Sequence, residues 1–263
     1  MTKGYVVRSG ARDEVIPLKS IYEYEAVTVG SDISSHQVGD KCRMSDGRVY
    51  HWARNGGVAL VAGNLLQNAV QSPGHFSLVP YAAAEIGDLE VQLTMATTAV
   101  VKNEYANGYL WAAVTPGLGN VYKIRSNNAT VVVTAVCTFK LYDPIVVAYT
   151  VAASRIAIAR NPWWGVVQCP AVPTGFPVGV APVAVPATTA TIEYYSWVQT
   201  WGPCTILNAN AAQVIGTPRM TQGTTAGGVI VAAAHGIPDV GWLMNPLQVG
   251  VNEGIGCFLR ISQ

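Results

Sequence analysis

The chain has 263 residues, a net charge of +1, and 50% hydrophobic against 12% charged side chains. That is enough for one large β domain or two smaller ones. The even charge excludes a basic nucleic-acid face, and the longest apolar runs are of strand length, far short of the roughly 20 residues that cross a bilayer.

Residues 1–8, Met-Thr-Lys-Gly-Tyr-Val-Val-Arg, lack the apolar stretch of a secretory signal, so folding is expected in a cytoplasm. Lys41-Cys-Arg-Met-Ser45 and Arg48-Val-Tyr-His-Trp-Ala-Arg54 flank Asp46-Gly47, which predicts a hairpin with a two-residue type I′ turn. Asn55-Gly56-Gly57 reverses the chain again, into Val58-Ala-Leu-Val-Ala62. Pro80 to Gly87 reads either as one helical turn or as a strand. Leu89-Glu-Val-Gln-Leu-Thr-Met95 alternates strictly, and Tyr109-Leu-Trp-Ala-Ala-Val114, Val121-Tyr-Lys-Ile-Arg125 and the run from Val131 to Phe139 follow between turn signals. They predict a meander or Greek key.

Prolines 170, 173, 177, 182 and 186 then recur about every four residues, which predicts an extended, edge-lying arm or linker. Thr191 to Gln199 and Cys204 to Asn208 read as two strands broken at Trp201-Gly-Pro203, with Val229 to Ala234 and Gly256 to Ile261 as closing strands. The expected fold is all-β, with antiparallel sandwich or barrel-like regions, extended arms and little helix. Three segments are expected: an arm and hairpin over 1–80, a β domain over 81–160, and a proline-rich linker with a charge-poor β domain over 161–263. Tyr50-His-Trp52 and Tyr195-Ser-Trp197 echo each other, with Gly57 and Gly202 at matching offsets, too few positions to mark a duplication.

Residues 161–263 carry only five charged side chains, Glu193, Arg219, Asp239, Glu253 and Arg260. A solvent-facing surface is normally about a quarter to a third charged. Neighbouring protein, either sister copies or a larger assembly, is the simplest cover for such a surface.

Little in the sequence points to catalysis. His36, His51, His75 and His235 fall in no metal-binding spacing, and glycines form neither a phosphate loop nor a dinucleotide fingerprint. The five cysteines are dispersed, odd in number and never in C-x-x-C spacing. They read as small buried hydrophobes, not as a disulfide framework or zinc site, and no cofactor or metal is expected. A cysteine hydrolase would use Cys204 as nucleophile, His235 as base and Asp239 as orienter, without a local nucleophile signature around Cys204. A carbohydrate-active β protein is the other enzymatic reading, with Trp163, Trp164, Tyr194, Tyr195, Trp197 and Trp201 as a stacking platform. The same aromatics read by default as core, and next as interface anchors.

The run Asp46-Gly-Arg-Val-Tyr-His-Trp-Ala-Arg-Asn-Gly-Gly-Val-Ala-Leu-Val-Ala-Gly-Asn-Leu-Leu-Gln67 resembles the N-terminal region of virion structural proteins of tailed bacteriophages, particularly head decoration (cement) proteins. Glu104-Tyr-Ala-Asn-Gly-Tyr-Leu110, Tyr122-Lys-Ile-Arg-Ser126, Leu141-Tyr-Asp-Pro-Ile145, Pro177-Val-Gly-Val-Ala-Pro182 and Tyr195-Ser-Trp-Val-Gln-Thr-Trp-Gly-Pro-Cys204 resemble recurrent segments of the same proteins. The resemblance covers most of residues 39–204. It implies a non-enzymatic homotrimer, made in the bacterial cytoplasm, that binds the major capsid protein on the outer capsid surface without nucleic acid or membrane. A tail or receptor-binding component is the second virion reading. Expected contact residues are Tyr5 and Val7 on the N-terminal segment, Phe176 and Pro177 in the proline-rich stretch, and Trp163, Trp164, Tyr194, Tyr195 and Trp201.

Overall fold

A computed structural model describes residues 4–9, 12–17, 21–29, 34–96, 98–130, 134–209, 219–231, 239–244 and 250–263, with the backbone alone at 4–9, 12–17, 219, 220, 222 and 231. The fold is all-β: nearly all the regular structure among the described residues is strand. In chain order the strands are β1 (Gly4–Ser9), β2 (Arg12–Pro17), β3 (Tyr24–Thr28), β4 (Lys41–Arg43), β5 (Val49–Asn55), β6 (Leu65–Gln67), β7 (Val79–Pro80), β8 (Glu90–Thr94), β9 (Tyr109–Ala112), β10 (Val121–Asn127), β11 (Val136–Leu141), β12 (Ile156–Ala159), β13 (Trp164–Gln168), β14 (Pro177–Val180), β15 (Ile192–Asn208), β16 (Arg219–Gln222), β17 (Gly228–Val231), β18 (Gly241–Leu243) and β19 (Gly254–Arg260).

The chain divides into two compact units, Met1–Ala69 with Pro162–Gln263, and Val70–Asn161. The second unit is thus an insertion in the first. It contains the 81–160 segment read from sequence, whereas the flanking segments, read as separate regions, share one sheet.

The inserted unit is a six-stranded sheet in the order β12-β9-β10-β11-β8-β7. A bridge between Leu78 and Ile156 brings the two ends of that order together and closes the sheet into a barrel. β9, β10 and β11 follow one another and β8 pairs beside β11, a Greek key. Strict alternation on β8 and β10 sends Val91, Leu93, Tyr122 and Ile124 into one core with Tyr105, Phe139, Ile156 and Ile158. Pro80 to Gly87 forms no helix: Ala84 bridges Tyr149, and the Asp88 carboxylate accepts the Glu85 N–H at 2.7 Å.

The first unit carries a 13-stranded sheet whose extra pairings, β17–β15 and β15–β5, close it on itself. The result is two five-stranded rings, β5-β15-β14-β6-β13 and β15-β19-β18-β16-β17, which share β15. β15 runs unbroken from Ile192 to Asn208, so Trp201-Gly-Pro203 does not end a strand as the sequence reading expected. The ladder instead bulges between Gln199 and Trp201, Gly202 adopts a φ of 90°, and the Gln199 amide donates to the carbonyls of Trp201 (3.2 Å), Gly202 (3.4 Å) and Pro203 (2.8 Å). A bulge with a side chain covering its carbonyls accommodates Gly-Pro inside a strand.

Two further expectations change. The proline-rich stretch is not an arm: β14 sits inside the sheet between β6 and β15, and Val178, Val180, Ala181 and Val185 are buried. Pro177 opens β14, a position that a residue without an N–H can occupy. The β4–β5 turn is also not type I′. Gly47 N–H bonds Met44 C=O at 3.0 Å, Met44 N–H bonds Arg48 C=O at 2.8 Å, and in this turn only Gly47 takes positive φ, at 90°. Those bonds describe a three-residue loop ending in a glycine bulge; Asp46 keeps ordinary φ and uses its carboxylate on the Arg48 backbone N–H (3.1 Å) and Nε (2.7 Å).

Candidate assembly surface

β15 positions most of the aromatic residues. Its alternate side chains serve two cores: Tyr195 and Trp197 join Trp52, Tyr50, Cys42, Met44, Ile21 and Val27 on one face, while Val198 joins Ala53, Leu66, Val166 and Val178 on the other. The two segments that echo each other in sequence are direct partners here, with Trp197 opposite Trp52 and their rings 5.1 Å apart at 64°.

The sequence-predicted contact residues whose side chains are described range from buried to exposed. Tyr195 is core; its hydroxyl donates to Glu193 at 2.6 Å, and burial, then that carboxylate, pushes its ionisation up. Trp163 is half-buried, stacked on His51 at 3.8 Å and 4°, with its indole N–H on Val178 C=O at 3.2 Å. Trp164 lies under the Arg54 guanidinium at 4.4 Å, and Tyr194 meets Tyr24 edge-on at 5.7 Å. Trp201 packs edge-on against Phe258 at 5.7 Å. Pro177 is half-buried, whereas Phe176 is 53% exposed. Tyr5 and Val7 lie on β1, opposite Ile16 and Glu14 of β2; their side chains fall outside the described residues.

Exposed apolar residues on this unit also include Tyr22, Tyr24, Val58, Val61, Val172 (76%), Trp242 (45%), Met244 (52%) and Val251. Trp242 and Met244 occupy alternate positions on and just after β18, so strand periodicity could have placed them on an outer face. The charges nearby are engaged locally. Glu193 pairs with Arg54 at 3.0 Å, Arg260 lies over the Trp242 ring at 4.5 Å, Glu253 accepts the Gly250 N–H at 2.7 Å, and Asp239 also has a partner.

Chemistry elsewhere is sparse. Cys204 stands opposite Cys257; a hydrogen bond with that thiol, then burial, pushes its own ionisation up, the opposite of what an attacking thiolate needs. His235, the expected base between Cys204 and Asp239, lies outside the described residues. Among the described residues no group of three or more His, Cys, Asp or Glu side chains is placed to hold a metal. In the inserted unit Arg160 pairs with Glu104 and Ser72, and His75 Nδ1 meets the Tyr105 hydroxyl, a polar network tying the ends of that unit to the loop before β9. An open depression of about 350 Å³ there is lined by Ala82, Ala83, Ala84, Asp88, Leu89, Glu90 and Gln92; Asp88 serves the backbone and Glu90 pairs with Lys140 at 3.2 Å.

Comparison of the chain with protein-family models, with characterised proteins and with solved structures gives no match.

Proposed function

We propose that this chain is a virion structural protein of a tailed bacteriophage, a head decoration or cement protein that docks on the outer capsid surface as a homotrimer and holds capsomers together without catalysis. The observation that carries this reading is the ion-poor surface of residues 161–263. Among its five charged residues, Glu193, Arg260, Glu253 and Asp239 are engaged locally, while Val172, Phe176, Trp242 and Met244 face outward. Exposed aromatic and aliphatic side chains with little free charge suit burial against protein, with Trp and Arg as the usual anchors. Sister copies and the major capsid protein are the partners that the sequence resemblance supplies.

The mechanism is adhesive. Each subunit bridging a capsomer junction adds contacts that must break before the shell expands or ruptures, and many modest interfaces sum by multivalency. The test mixes the purified full-length protein with shells of the encoding phage that lack it, then measures co-sedimentation and the temperature of shell rupture. Saturable binding and a higher rupture temperature are expected, both weakened by Phe176→Asp combined with Trp242→Asp and neither changed by Cys204→Ala. A protein that stays in the supernatant, or a hydrolytic activity that Cys204→Ala removes, contradicts the reading.

A further inference from the structure

Cysteines 204 and 257 are 53 positions apart in sequence, and spacing alone does not pair them, but the fold makes them cross-strand partners on β15 and β19. Flanking bonds fix the type of pair. Ile261 N–H bonds Thr200 C=O at 3.1 Å and Asn208 N–H bonds Glu253 C=O at 2.8 Å, so odd-numbered residues of β19 are those that exchange hydrogen bonds with β15. Cys257 and Cys204 therefore form a hydrogen-bonded pair, for which Cα atoms lie about 5.5 Å apart, inside the roughly 4.4–6.8 Å that a disulfide spans. Both side chains pack into the same core, Cys257 fully buried and Cys204 at its half-open edge. Of the remaining thiols, Cys169 donates to Gln67 at 3.7 Å, Cys42 belongs to a different core and Cys137 to the inserted unit.

We propose that Cys204 and Cys257 are a modification site: a dithiol that closes to a cross-strand disulfide on meeting a small-molecule disulfide, stapling β15 to β19. Cys204, the more accessible, loses its proton to solvent, and its sulfur attacks one sulfur of glutathione disulfide. The S–S bond breaks, and one glutathione leaves as a thiolate that takes up a proton. Cys257 then loses its proton and attacks Cys204 Sγ, expelling the second glutathione. Two protein thiols are oxidised and one small disulfide is reduced to two thiols. The upward push on the Cys204 thiol makes closure slow near neutrality and faster in mild alkali. In a reducing cytoplasm the pair stays open, and outside a cell it closes. This chemistry does not depend on the capsid reading.

The test reduces full-length protein, removes the reductant and adds glutathione disulfide in mildly alkaline buffer. Expected are an intact mass lower by two hydrogens, a peptide map joining the peptides that hold Cys204 and Cys257, and a melting midpoint higher by about 5–10 °C. Cys204→Ser and Cys257→Ser each block the mass change, whereas Cys137→Ser leaves it intact. The map on unmutated protein needs no variant to fold. Retention of all five thiols, a glutathione adduct that persists on Cys204, or a link between other cysteines overturns the proposal.

Discussion

His51 sits 5% exposed between the Trp163 ring and the Thr200 hydroxyl, which its Nδ1 meets at 3.2 Å. Burial, with a smaller push from Lys41, lowers its pKa from 6.5 to about 3. Between those values the unfolded chain binds a proton that the folded chain refuses. Stability from this site is therefore complete above pH 6.5 and falls on acidification toward pH 3, by about 1.4 kcal/mol per pH unit. Denaturant midpoints taken near neutrality and in mild acid should show a shallower loss for His51→Phe than for the wild type. Equal acid sensitivity in the two proteins would contradict this account. The sequence reading of ordinary core or polar histidines suits His51 and His75, both buried. Alternation at Trp242 and Met244 carried an outward signal, whereas the burial of Tyr195 was not legible, because it depends on β15 pairing with the distant β5.

At the scale of elements, the strands were largely readable and their neighbours were not. Alternation located β8, β9 and β10 within a residue or two, because each has one buried and one solvated face. β14 and β15 were misjudged for a shared reason: Pro and Gly are local break signals, and here tertiary contacts override them. Gly179 shows how tight the override is. Its φ is +152°, and an added Cβ would lie 2.3 Å from Val198 Cγ1 and 2.5 Å from the Gln199 carbonyl. Gly179→Ala should therefore cost about 3 kcal/mol or more in a urea titration, and a change within error would show that β14 and β15 are not so closely apposed. Gln199→Leu strips the amide from three bulge carbonyls and should cost about 1–3 kcal/mol in the same titration; an unchanged midpoint would mean that the amide does not hold the bulge.

For the whole molecule, the all-β class followed from composition and turn density, but the insertion could not be read. β5 pairs with β15 across more than a hundred intervening residues, and no local pattern encodes such a closure. A fragment of residues 70–161 contains a complete closed sheet and its own core, so it should fold alone and give β-type circular dichroism with one cooperative melt. A fragment lacking cooperative unfolding would make the inserted unit dependent on the rest of the chain. The ion-poor surface lies on the other unit, which holds residues 162–263, and its burial against protein is the central claim. Sedimentation velocity of the full-length protein across a concentration series tests it most directly. The account predicts a stable trimer that Phe176→Asp with Trp242→Asp dissociates; a monomer at every concentration, indifferent to those substitutions, would contradict it.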